Sequence, residues 1–233
     1  MASQFCVVGA TRGTGLHIAR QLVLDGKKVR VVARFPEKVR QVLGDHVEIF
    51  RGDVTVASSL SAALTANCQV IIYAVDITGG IGGRSFFGAS RKIREVTYQG
   101  FVNVIEIART NGFNGRVVLL SGMGCDRRSL SGAILNSVKG NLQKNMFDRE
   151  NYLKSCGLDY TVCRGAILTD GPGGRHRIKI TAPVHSLSVR RKICRADFAR
   201  AVIAVSQTAI ASRQVYDVFG EPGANNETFD ITL

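Results

Sequence analysis

Short apolar runs alternate with amphipathic stretches from one end of this chain to the other. Phe5-Cys6-Val7-Val8, Val29-Arg30-Val31-Val32-Ala33, Val70-Ile71-Ile72-Tyr73 and Val117-Val118-Leu119-Leu120 are the clearest runs. Near-continuous apolar character over so few residues fits strands buried on both faces. The pattern predicts strands near residues 4–9, 28–34, 47–51, 69–75, 116–121, 158–163 and 215–219. It predicts helices near 14–26, 36–43, 56–66, 88–112, 136–156 and 196–206. Gly26 stops the first helix, Pro36 opens the second, and Ser58, Ser59 and Ser61 crowd the start of the third. Strand and helix in alternation define an α/β protein, a Rossmann-type doubly wound parallel sheet. No linker divides the chain, so residues 1–233 read as a single domain, with a small substrate-covering region near 165–195.

Ligands of such a sheet bind beyond the carboxyl ends of its strands. The first of these ends carries Gly9-Ala10-Thr11-Arg12-Gly13-Thr14-Gly15, which leads straight into the first helix. Free backbone N–H groups and the helix dipole make this turn a cradle for a diphosphate. Gly9 permits the turn, Gly13 lets the backbone approach phosphate, and Gly15 lets helix and strand pack closely. The second strand ends at Arg34, where a chain selective for a free ribose 2′-OH usually carries an acid. Arg12 can approach the same region, and two guanidiniums suit a 2′-phosphate by charge and forked geometry. The cofactor expected is therefore NADP.

Composition narrows the class. Mean hydropathy of +0.08 and 45% hydrophobic residues fit a globular domain, and no apolar run reaches membrane-spanning length. No secretory leader is legible at the N-terminus. Cys6, Cys68, Cys125, Cys156, Cys163 and Cys194 are scattered without a C-x-x-C, as in a reducing cytoplasm. His17, His46, His176 and His185 lack metal-ligand spacing, and no acyl-transfer elbow is present. The net charge of +13 raises nucleic acid as a partner. Residues 171–200 hold eight Lys or Arg against Asp197 alone, but no aromatic residues interleave them. A basic surface serving an anionic cofactor and substrate fits better. No oligomeric interface is legible.

Further segments follow in order: Gly52-Asp53-Val54, Tyr98-Gln99-Gly100-Phe101-Val102-Asn103-Val104-Ile105, Val117 to Ser121, Ser155 to Arg164, and Arg195-Ala196-Asp197-Phe198-Ala199. With the glycine loop and Arg34, they span nearly the whole chain. Together they resemble the atypical NAD(P)-binding branch of the short-chain dehydrogenase/reductase superfamily, which includes flavin and biliverdin reductases. The resemblance implies that Asp53 and Val54 border the adenine. It also implies that Ala74 and Val75 pass beneath the adenosine ribose and phosphates, and that Ser121 sits beside the nicotinamide. Asp53 could alternatively cap its own turn, and Ser121 could satisfy backbone at a strand end.

The departures bear on mechanism. Arg12 stands where the branch usually has glycine, and Gly165 follows Arg164 where it usually has proline. The superfamily's Tyr-x-x-x-Lys pair is missing: Lys139 has Leu135 four residues earlier, Lys144 has Gly140, and Tyr152 is followed by Cys156. Such a pair protonates a developing alkoxide. Without it, substrates whose reduced form is a stabilised anion are favoured, such as flavins, quinones, tetrapyrroles and conjugated enones. Ser121 and Lys144 are the catalytic candidates, with Asp76, Tyr98 and His185 as further proton carriers and Cys125 as a weaker nucleophile. A glycine-rich loop at 79–83 and a basic lid at 171–179 would cover an anionic substrate, with Arg84, Arg175 and Arg177 as contacts. The function expected is an NADP-dependent oxidoreductase acting on a conjugated or anionic small molecule. The alternatives are a catalytically silent NADP-binding sensor or assembly factor, and an epimerase or cyclase without net redox.

Overall fold

A computed structural model describes residues 4–75, 86–127, 129–130, 133, 136–137, 141–223 and 230–231. Its first half runs β1 (Phe5–Val8), α1 (Gly13–Leu24), β2 (Val29–Ala33), α2 (Pro36–Leu43), β3 (Glu48–Arg51), β4 (Val70–Tyr73), α3 (Phe86–Arg94), α4 (Gly100–Thr110) and β5 (Arg116–Gly122). Then follow α5 (Leu142–Ser155), β6 (Asp159–Gly165), β7 (Ile167–Thr169), β8 (His176–Thr181), β9 (Lys192–Cys194), α6 (Arg195–Ser206), β10 (Gln214–Pro222) and β11 (Asp230–Ile231).

The sheet is a Rossmann-type α/β arrangement. Its order is β11-β8-β10-β6-β5-β4-β1-β2-β3, with β9 pairing to β10 and β7 to β9. From β3 through β10 every neighbouring pair along this path is parallel. The order reverses between β1 and β4, which opens a crevice at their carboxyl ends.

Two apolar layers cover the sheet. Alternate residues of β1 and β4 divide between them because successive strand side chains point to opposite faces. Phe5, Val7, Val70 and Ile72 pack with Ile18, Ala19 and Leu22 of α1 and Phe198, Ala199 and Val202 of α6. Cys6, Val8, Ile71 and Tyr73 pack with Phe101, Val104 and Ile105 of α4 and Leu153 of α5. Each such large side chain contributes about 1.5–3 kcal/mol by leaving water. Helix α1 ends where Gly26, at φ +68°, allows its N–H to reach the Val23 carbonyl and that of Lys27 to reach Leu22.

Several expected elements differ. The helix expected at 56–66 is only a 3₁₀ turn at Ala57–Leu60. Its serines work locally: Ser59 Oγ accepts from the Asp53 N–H at 2.9 Å and donates to the Val56 carbonyl at 2.6 Å. The helix expected at 88–112 is interrupted by a π turn at Glu95–Gln99, where Thr97 Oγ1 donates to the Ile93 carbonyl. The helix expected at 136–156 is regular from Leu142. The basic lid expected at 171–179 is partly sheet, since β8 pairs antiparallel with β10 from His176↔Pro222 to Thr181↔Asp217. Asp76, the loop at 79–83, Arg84 and Lys139 lie outside the described residues.

Candidate functional site

The carboxyl ends of β1, β2, β4 and β5 open onto a cavity of about 650 Å³. Its walls include Gly9, Thr11, Arg12, Gly13, Thr14, Arg34, Asp53, Val54, Ala74, Val75 and Ser121. These are all the expected cofactor residues but Gly15. Gly15 lies beneath the wall: a Cβ there would come within 2.3 Å of the Gly9 carbonyl oxygen. Gly9, at φ +96°, would bring a Cβ to 3.0 Å from the Val75 N–H nitrogen. Gly13, at φ +57°, is needed for its backbone conformation, because its Cβ would meet only the Arg195 side chain at 3.7 Å.

Helix α1 opens on this cavity. Its N-cap, Arg12, is extended and gives no side-chain cap. The first-turn N–H groups lack intrahelical acceptors by geometry, so the helix presents donors and its positive end to the space above Gly13. The cradle therefore fits a diphosphate.

At the outer end, Arg12 and Arg34 are both exposed. Arg34 lies over the Phe35 ring at 5.7 Å, with Lys38 at 5.1 Å. Phe35, half exposed, also lines the cavity and was not foreseen. Asp53 Oδ1 accepts from the Thr55 N–H at 2.9 Å and the Thr55 hydroxyl at 2.8 Å, so this carboxylate holds its own turn. On the far wall Arg195 reaches Asp170 at 2.6 Å. Asp197 accepts from the Gly174 N–H at 2.8 Å and ties the 170–174 turn to the start of α6.

The inner end is built from β5 and α5. Ser121 is buried, with Oγ 3.9 Å from Cys125 Sγ. Cys125 donates to Glu150 at 3.0 Å, and Glu150 is paired with Arg164 at 2.6 Å. Arg164 also meets Asp126 at 2.9 Å. Burial and the Glu150 charge push the Cys125 thiol far above its ordinary range, which leaves it no nucleophile. Helix α5 turns Met146 and Arg149, three residues apart, toward the cavity. Gly122 makes room for Met146, whose Sδ would lie 2.9 Å from a Cβ at that position.

Lys144 points the other way: it is 63% exposed and pairs with Asp148 at 2.8 Å. Tyr98 sits under Arg94, and His185 bonds to Asp217 at 3.1 Å; neither lines the cavity. Arg175 and Arg177 are exposed and likewise stand apart from it. Met146 and Arg149 are inner-end residues that the sequence reading did not single out.

A fold and crevice of this kind define a nicotinamide-dinucleotide-binding class. The chain belongs to the NAD(P)H-binding family, which it matches over residues 9–209, and this is consistent with the short-chain dehydrogenase/reductase branch that its motifs resemble. It is 31% identical to an uncharacterized chloroplastic protein of Arabidopsis thaliana over 72% of this chain and 60% of that protein. It thus spans less than two thirds of that relative. A second uncharacterized chloroplastic Arabidopsis protein is 26% identical over 97% of this chain and 72% of its own length. Among solved structures, the oxidoreductase ylbE from Lactococcus lactis aligns with a TM-score of 0.74 at 20% identity, covering 95% of this chain and 92% of that one. ChuY, an anaerobillin reductase from Escherichia coli, aligns with a TM-score of 0.72 at 20% identity, covering 95% and 100%. These structural likenesses concern the fold. No helix among the described residues is long and apolar enough to cross a membrane.

Proposed function

We propose that the cavity binds NADP and that the protein is an oxidoreductase acting on a conjugated or anionic small molecule. The observation that carries this reading is the pair Arg12 and Arg34. Both line the outer end beside the glycine loop, both are exposed, and neither has a carboxylate partner among the described residues. Two guanidiniums without a carboxylate partner among the described residues, next to a diphosphate cradle, suit an additional phosphate on the adenosine ribose.

When bound, NADPH supplies a hydride, so the chain's own work is to hold and orient. In this reading the α1 N-terminus and the Thr11–Thr14 backbone hold the diphosphate. Val54 borders the base, and Ala74 and Val75 form the floor. Ser121 donates a hydrogen bond to a substrate carbonyl at the inner end. A reduced substrate that is a stabilised anion takes its proton from water. The six free thiols suit a reducing compartment such as the cytoplasm.

The silent-binder reading has one observation in its favour. Tyr98, His185 and Lys144 all stand away from the cavity, and the Cys125 thiol holds its proton. Incubation with NADPH and a panel of flavin, quinone, linear tetrapyrrole and conjugated enone separates the two. Sustained loss of reduced-nicotinamide absorbance with any acceptor establishes the oxidoreductase. Tight NADPH binding without turnover on all four supports the sensor. Product formed with no net absorbance change identifies the epimerase or cyclase.

A further inference from the structure

Three arginines are buried among the described residues: Arg30, Arg149 and Arg164. Arg30 meets Glu48 at 2.9 Å, and Arg164 meets Glu150 at 2.6 Å. Arg149 has no carboxylate partner among the described residues, although it is only 2% exposed. One terminal nitrogen donates to the Leu120 carbonyl at 2.6 Å, and the guanidinium lies 5.9 Å from the Tyr73 ring centre. Its Nε is buried with no hydrogen-bond partner.

A buried charge without a counter-ion is costly, and one carbonyl and one ring face offset only part of that cost. The neighbouring Arg164 shows how this fold compensates such a charge when it serves as a strut. Arg149 differs in a second respect: it lines the cavity, next to Leu120, Ser121 and Met146. Arg149 therefore borders the same end of the cavity as Ser121, opposite Arg12 and Arg34.

We infer that Arg149 is the anion-binding residue of the substrate site and that the substrate carries a carboxylate on its conjugated system. This rests on the proposed reading of the cavity and assigns its inner end. The substrate carboxylate meets the Arg149 guanidinium, while the Ser121 hydroxyl keeps its hydrogen bond to the substrate carbonyl. The pairing supplies the missing counter-charge only when substrate is present, which makes the inner end selective for anions over neutral compounds of the same shape.

Cinnamate and cinnamamide test this directly, because they share a conjugated frame and differ in charge. Protein saturated with NADP⁺ is titrated with each by calorimetry. Cinnamate should bind at least tenfold more tightly than cinnamamide. Arg149→Met should remove that preference, Arg149→Lys should retain most of it, and both should bind NADP⁺ as the parent protein does. Should Arg149→Met fail to fold, the parent's preference and its survival in Arg149→Lys carry the test. Equal affinity for the two probes, absence of binding by both, or a preference that survives in Arg149→Met overturns the assignment. If NADP⁺ itself fails to bind, the reading of the cavity falls and this assignment falls with it. If NADP⁺ binds and the carboxylate preference is absent, only this assignment falls.

Discussion

The position that a Cβ would occupy on Gly15 lies 2.3 Å from the carbonyl oxygen of Gly9. The contact joins the first turn of α1 to the end of β1, so a methyl group there forces helix and strand apart. Gly15→Ala should lower stability by about 3 kcal/mol, the upper range for overpacking. Gly26→Ala is the control: it has φ +68° and nothing within 4 Å, so it should lose only about 1 kcal/mol of backbone strain. Urea unfolding of both variants measures the difference, and equal losses would contradict the close packing.

Gly13 lies between these cases. Its Cβ has room in the protein, yet its φ is +57°. Gly13→Ala should cost about 1–2 kcal/mol in stability from the left-handed backbone alone. It should lower dinucleotide affinity at least tenfold, because the methyl group would stand over the donors of the helix N-terminus. Thermal unfolding and calorimetry on the same material separate the two effects. Unchanged affinity would place the diphosphate elsewhere.

Much of this was legible in the chain. The strands β1 and β4 are apolar throughout, and β2 all but Arg30, because both faces are covered, and α2 begins at Pro36 and ends before Gly44, as its residues suggest. The edge beyond β6 was harder. In β8, Ile178 and Ile180 are buried while His176 and Arg177 are exposed, which is ordinary strand alternation. Glycines before it and basic residues within it gave the segment the composition of a lid. The glycine cradle was readable because each glycine answers a local demand. Arg149 was not, because its significance is a missing partner, and that can be seen only once Arg30 and Arg164 are found paired.

Glu150 is fully buried between Arg164 and the Cys125 thiol. Among the described residues, Glu150→Gln leaves the Arg164 charge with Asp126 and the more distant Asp217. Breaking a buried pair costs about 3–5 kcal/mol. Denaturant unfolding should show a loss of that order. A loss near zero would mean that Asp126 alone compensates Arg164.

Asp159 is partly buried, which raises its pKa, but hydrogen bonds from Arg116 at 2.8 Å and Ser212 at 2.7 Å outweigh this. Its carboxyl is held below the ordinary value of 3.8. A depressed folded pKa gives stability that is present above the ordinary value and lost as pH falls through the folded one. Asp159→Asn should therefore be less stable than the parent at neutral pH, and the gap should close below about pH 4. Melting temperatures across the acid range measure this; a gap that widens in acid would reverse the assignment.

Ser121 lines the inner end but takes no part in the cradle. Ser121→Ala should reduce turnover about tenfold, as expected for one lost hydrogen bond to a developing negative charge, while NADPH affinity stays within about twofold. Steady-state kinetics with an active acceptor and a binding titration give both numbers. Unchanged turnover would leave Ser121 with the structural role of closing β5.

A glycine loop that holds a diphosphate, with Arg12 and Arg34 meeting a further phosphate beside it, must distinguish NADPH from NADH. Calorimetric titration of the parent protein and Arg34→Ala with NADPH and NADH tests it most directly. The parent should bind NADPH more tightly than NADH, and Arg34→Ala should lose about tenfold or more of its NADPH affinity with NADH nearly unaffected. Equal losses for the two nucleotides, or no heat from either on folded protein, would contradict it.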